Sequence, residues 1–124
     1  MTNQTQIGKE GEDIACKYLI QNKYEILGRN YRKPWGEIDI IARAPDRTLV
    51  FVEVKTLGEG SGPYDLTPED NLTRAKLKKL RRVCQGLALR GEIPVFETRG
   101  WQIDLVAITL DGSEKPAIRH YENI

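Results

Sequence analysis

Asp39, Glu53 and Lys55 are the residues of this chain whose types and spacing could act together on a phosphate ester. They lie in two apolar stretches, EIDIIA at 37–42 and FVEVK at 51–55. A strand alternates its side chains, so Phe51, Glu53 and Lys55 share one face while Val50, Val52 and Val54 share the other. The same rule puts Glu37, Asp39 and Ile41 on one face of the preceding stretch, with Ile38, Ile40 and Ala42 opposite. If Ala44 pairs with Thr48 across a three-residue Pro45-Asp46-Arg47 loop, the same register sets Asp39 across from Glu53. A two- or four-residue loop would put the two acids on opposite faces.

Two carboxylates so placed repel each other, and a hard divalent cation, Mg²⁺ or Mn²⁺, held between them turns repulsion into binding. Lys55 could then position or deprotonate a water, or neutralise developing phosphate charge. The plainer alternative is a surface ion pair, Glu53 with Lys55 or Asp39 with Lys55. Against it stands the recurrence of an acid in matching register on two strands that are both apolar on the alternate face.

The elements that must position these residues follow from periodicity. Residues 8–22 form a helix with Ile7, Gly11, Ile14, Ala15, Tyr18 and Leu19 on one side. Glu12 falls at the edge of that stripe, either as an ordinary boundary residue or reaching toward whatever the helix packs on. Strands are expected at 24–32, 35–44 and 48–56, then a glycine-rich loop at 58–63. A long helix starts at a Thr67-Pro68 cap or at Thr73 and runs to about Arg90, stopped by Gly91 and Pro94. Strands follow at 94–98 and 101–110, with a tail that could add a short edge strand. The order αβββαβ predicts an α/β fold with a central mixed β-sheet flanked by helices.

The second helix holds seven basic residues and no acid between Asn71 and Gly91. Lys76 lies within its apolar stripe, either snorkelling to an edge or aimed at the acids. Arg74, Lys78, Arg81 and Arg82 point outward, as a solvated face or as sequence-independent phosphate contacts. Arg32 and Lys33 flank Trp35, which could stack on an unpaired base.

The chain has 124 residues, 40% hydrophobic, with 19 basic and 18 acidic residues. That suits one compact domain over residues 1–124, and a net charge of +1 does not by itself announce a polyanion partner. With no long apolar run and no signal-like N-terminus, the expectation is a cytoplasmic protein without a membrane partner. Cys16 and Cys84 read as reduced packing residues. Asp104 reads as a structural hydrogen-bond acceptor and His120 as a surface residue. No Ser-His-Asp grouping, phosphate loop or dinucleotide fingerprint occurs.

Taken together, Gly8-Lys-Glu-Gly-Glu12, the GEIDIIA stretch at 36–42, FVEVK at 51–55, the helix AKLKKLRR and WQIDLVAI at 101–108 resemble the small bacterial YraN family. More broadly they resemble the PD-(D/E)XK nuclease superfamily, especially archaeal Holliday junction resolvases. The resemblance spans nearly the whole chain, although the proline of the motif's name is replaced and the 58–66 loop differs. It implies a restriction-endonuclease-like core, with Asp39, Glu53 and Lys55 at a metal and catalytic centre. Glu12 would be the first-helix acid and Lys76 an auxiliary basic residue, in a site acting on DNA with Mg²⁺ or Mn²⁺. Two competing readings are a non-catalytic nucleic-acid-binding module and a dimeric interaction protein whose polar strand face is the interface. A homodimer is expected by analogy, since resolving branched DNA needs two active sites.

Overall fold

The computed structural model describes residues 4–57, 73–90, 98–110 and 115–124. In chain order the elements are α1 (Gln4–Gln21), β1 (Glu25–Lys33), β2 (Gly36–Arg43), β3 (Leu49–Leu57), α2 (Arg74–Arg90), β4 (Trp101–Thr109) and β5 (Ala117–Tyr121). The five strands form one sheet in the order β1-β2-β3-β4-β5. Only β3 and β4 run parallel; the other neighbours are antiparallel. The fold is therefore α/β with a mixed sheet, and it fits a restriction-endonuclease-like core. The tail does supply the edge strand, as β5. The expected strand at 94–98 and the Thr67-Pro68 cap lie outside the described residues, apart from Thr98.

Each helix covers one face. Ala15, Cys16 and Leu19 of α1 pack on Ile40, Ala42, Val50, Val52, Val54, Val106 and Ile108. Val83, Cys84 and Leu87 of α2 pack on Ile38, Ile41, Leu49, Phe51 and Ile103. Both cysteines are free and buried. Helix α1 seats closely because residue 11 is glycine: a Cβ there would overlap the side chain of Thr56 on β3. Its C-terminus closes with Lys23 in the left-handed conformation (φ 70°) and with Tyr24 N–H donating to Leu19 O at 2.9 Å. At the start of α2, Thr73 Oγ1 accepts the Lys76 N–H at 3.2 Å, so Thr73 is the cap.

The β2–β3 hairpin adopts the register set by the three-residue loop. Ala44 N–H donates to Thr48 O at 2.9 Å, and Arg43 pairs with Leu49, Ala42 with Val50, Ile41 with Phe51 and Ile40 with Val52. The paired ladder ends there, although both strands continue. Strand β2 stays on β1 down to Gly36 opposite Lys33, while β3 stays on β4 out to Leu57 opposite Thr109. The strands thus part at a fork, and Asp39 is the first β2 residue past it. Strict alternation fails at this point. Ile38 packs with Ile41 and the α2 residues, instead of joining Ile40 and Ala42 under α1.

Candidate functional site at the strand fork

Asp39 does not pair with Glu53 as a ladder partner; the fork brings the two carboxyls together instead. Asp39 Oδ2 accepts the backbone N–H of Val54 at 2.8 Å, taking a bond that a β2 carbonyl would otherwise take. Its charge acts on Glu53, the next acid along the fork. Lys55 Nζ is 3.7 Å from Glu53 Oε1, both side chains being largely buried. The acid and base of FVEVK therefore share one face, as alternation requires.

The electrostatics of this group are unfavourable to three ionised acids. Burial, and then the charge of Asp39, push the Glu53 carboxyl up to about 7, with Lys55 opposing. Burial also raises Asp39, against the pull of the Val54 N–H. Glu12 projects from α1 into the same neighbourhood, raised by burial and by Asp39. Its Oε1 is buried and has no hydrogen-bond partner. A buried carboxylate oxygen without a partner costs about 1–3 kcal/mol or more. Hard oxygen donors crowded in this way suit a divalent cation such as Mg²⁺ or Mn²⁺, whose remaining ligands would be water and phosphate oxygens.

Beside the acids a cleft of about 350 Å³ is lined by Lys33, Pro34, Gly36, Glu37, Glu53, Lys76, Lys79, Leu80 and Val83. Gly36 lets α2 approach β2 here, because a Cβ at that position would overlap Val83. Lys76 is exposed, not buried within the apolar stripe of α2, and it borders the cleft together with Glu53. Of the other basic candidates Lys33 also lines it, with its Nζ 5.6 Å from the Tyr31 ring centre. Arg32 Nε is 3.7 Å from Glu37 on the surface. Arg74, Lys78 and Arg82 are exposed on α2, and Arg81 donates to the backbone oxygen of Ile124 at 2.9 Å. Trp35 is half exposed, with the Arg90 guanidinium 5.4 Å from its ring centre.

Two cleft residues went unread in the sequence. Lys79 sits three positions after Lys76 and so on the same side of α2, and that spacing could have revealed it. Glu37 borders the cleft, and its charge helps raise both Asp39 and Glu53.

A second polar cluster lies elsewhere. Asp104 is fully buried, as a structural acceptor should be, and takes bonds from Gln102 Nε2 at 2.8 Å and Asn123 N–H at 3.0 Å. His120 is not the surface residue its place in the tail suggested: its side chain is 10% exposed, with Nε2 2.7 Å from Asp104 Oδ2. Alternation along β5 turns Ile118 and His120 inward together, a signal present in the sequence. Asp104, His120 and Glu122 bring one ligand atom each within 4.8 Å of one another, so this group could hold a metal ion. Glu12, Asp39 and Glu53 do not converge that closely.

The five-stranded mixed sheet between two helices makes this an α/β protein whose fold fits a restriction-endonuclease-like core. Residues 11–108 match the family described as "Uncharacterised protein family UPF0102". Curated relatives named "UPF0102 protein" align over most of their length. One from Mycobacterium ulcerans is 38% identical over 93% of this chain and 90% of its own. Another from Thermotoga petrophila is 37% identical over 94% of both chains. The chain belongs to the UPF0102 family, which is the YraN family. Among the described residues no helix is long and apolar enough to cross a membrane.

Proposed function

We propose that this protein is a divalent-cation-dependent endonuclease that hydrolyses DNA phosphodiester bonds, with branched DNA of the four-way-junction kind as a candidate substrate. The observation that carries the reading is the meeting of Asp39, Glu53 and Lys55 at the fork, with the unpartnered Glu12 oxygen alongside. Asp39 and Glu53 would hold Mg²⁺ or Mn²⁺, with Glu12 as a further oxygen donor directly or through water. The bound cation would polarise the phosphate and lower the pKa of a coordinated water. Lys55 would orient the attacking water and offset charge on the phosphoryl oxygens as the new P–O bond forms and the leaving oxygen departs in line. Lys33, Lys76 and Lys79 would seat backbone phosphates in the cleft, and the outward arginines of α2 would contact phosphates further along. Such contacts read backbone shape and charge, with base sequence left unread. A homodimer would bring two sites to two strands, and the protein would act in the cytoplasm.

The test uses purified protein with labelled linear, flapped and four-way-junction DNA, in Mg²⁺, Mn²⁺ or EDTA, beside an Asp39→Asn, Glu53→Gln double variant. Metal-dependent cleavage that the variant lacks is the expected result, and substrate preference then names the target. Binding without cleavage in either metal would leave a nucleic-acid-binding module of the same fold. An assembly defect in the variant, without nucleic-acid binding by either protein, would favour the interaction protein.

A further inference from the structure

We propose that Asp104, His120 and Glu122 form a second cation site, chemically distinct from the fork, that takes a borderline divalent ion such as Zn²⁺ and fastens β5 to β4 and α1. The three ligand atoms already lie within 4.8 Å of one another. One nitrogen with two carboxylate oxygens is a softer set than the all-oxygen group at the fork, and imidazole with carboxylate suits zinc.

Each ligand is also held by a partner outside the three. The Oδ1 atom of Asp104 accepts the Gln102 amide and the Asn123 N–H, which leaves Oδ2 facing His120. His120 Nδ1 is 2.9 Å from the Tyr18 hydroxyl, so a proton on Nδ1 can be donated to the Tyr18 oxygen while Nε2 keeps its lone pair for the cation. Glu122 Oε1 accepts the Tyr24 hydroxyl at 3.4 Å. Outer partners of this kind fix the tautomer and orientation of metal-binding side chains. A cleft of about 600 Å³, bordered by Tyr18, Tyr24, His120 and Glu122, gives the ion an entry path and leaves room for water as a fourth ligand. Without the ion, the His120–Asp104 hydrogen bond holds the same groups together, so the fold does not require it.

The site is testable independently of the nuclease reading, because it shares no residue with the fork. His120 is the only histidine of the chain, so its imidazole resonances report one place. Zn²⁺ is titrated into the full chain carrying Asp39→Asn and Glu53→Gln, with ¹⁵N-labelled histidine. The imidazole signals should move and saturate at one equivalent, and zinc should raise the melting temperature. Adding Glu122→Gln, an exposed position, should raise the zinc needed for saturation by about 10-fold or more, and Tyr24→Phe should weaken binding in the same direction. Imidazole signals unmoved by ten equivalents of Zn²⁺, or saturation that ignores Glu122→Gln, would overturn the proposal.

Discussion

Asp39 accepts the backbone N–H of Val54 at the point where their two strands separate, so one carboxylate both ends the ladder and sets its charge near Glu53. These two roles can be pulled apart. Asp39→Ala should leave the Val54 N–H without its acceptor in a partly buried place, costing about 1–3 kcal/mol in urea denaturation. Asp39→Asn keeps an acceptor oxygen and removes a charge from Glu53, so its metal-free stability should match or exceed that of the parent, while metal binding is lost. Equal destabilisation by both substitutions would show that the charge, not the hydrogen bond, holds the fork.

Glu53 ties stability to pH. Its carboxyl is raised to about 7 from an ordinary 4.5, so the folded protein holds this proton more tightly than the unfolded chain does. The stabilisation is complete below about pH 4.5 and is lost as pH rises through about 7. In EDTA, Glu53→Gln should therefore flatten the fall in melting temperature between pH 5 and 8. Cation binding must displace the proton, so Mg²⁺ affinity at the fork should increase over the same range. A Mg²⁺ affinity independent of pH from 6 to 8 would argue against Glu53 as a ligand.

Helix α1 delivers Glu12 only because Gly11 lies against Thr56. Gly11→Ala gains helix propensity of roughly 1 kcal/mol, yet must displace the Thr56 side chain or the helix itself. Net destabilisation of about 1–3 kcal/mol is expected, with Thr56→Ala restoring part of it by removing Oγ1 and Cγ2. Thermal melts of the two single variants and the double variant measure this coupling. Additive effects would place the strain somewhere else.

The hairpin register and the helix faces were legible because they rest on local chemistry. A three-residue loop fixed the pairing of Ala44 with Thr48, and period-two and helical patterns put Val52, Val54 and Leu19 on the faces that the core buries. The fork was less legible. Alternation predicts that Ile38 follows Ile40, whereas the Asp39 side chain takes the Val54 N–H and Ile38 turns toward α2. His120 was misplaced for a different reason. Its five-residue edge strand alternates exposed and partly buried positions, and what covers His120 is Asp104, sixteen positions away, together with Tyr18 on the first helix.

Lys76 and Lys79 give the cleft a sign opposite to that of its acids. Both are exposed and both line it with Glu53, so their contribution to DNA binding should be electrostatic and insensitive to sequence. Each phosphate contact releases about 0.9 counterion on duplex DNA. The Lys76→Gln, Lys79→Gln double variant should therefore weaken duplex and junction binding alike, and flatten the plot of log affinity against log salt by about 1.8. Stability should change by less than about 0.5 kcal/mol, because neither side chain is buried. Fluorescence anisotropy at several salt concentrations measures the slope. An unchanged slope would move the DNA path off this cleft and onto the outer face of α2, where Arg74, Lys78 and Arg82 are exposed.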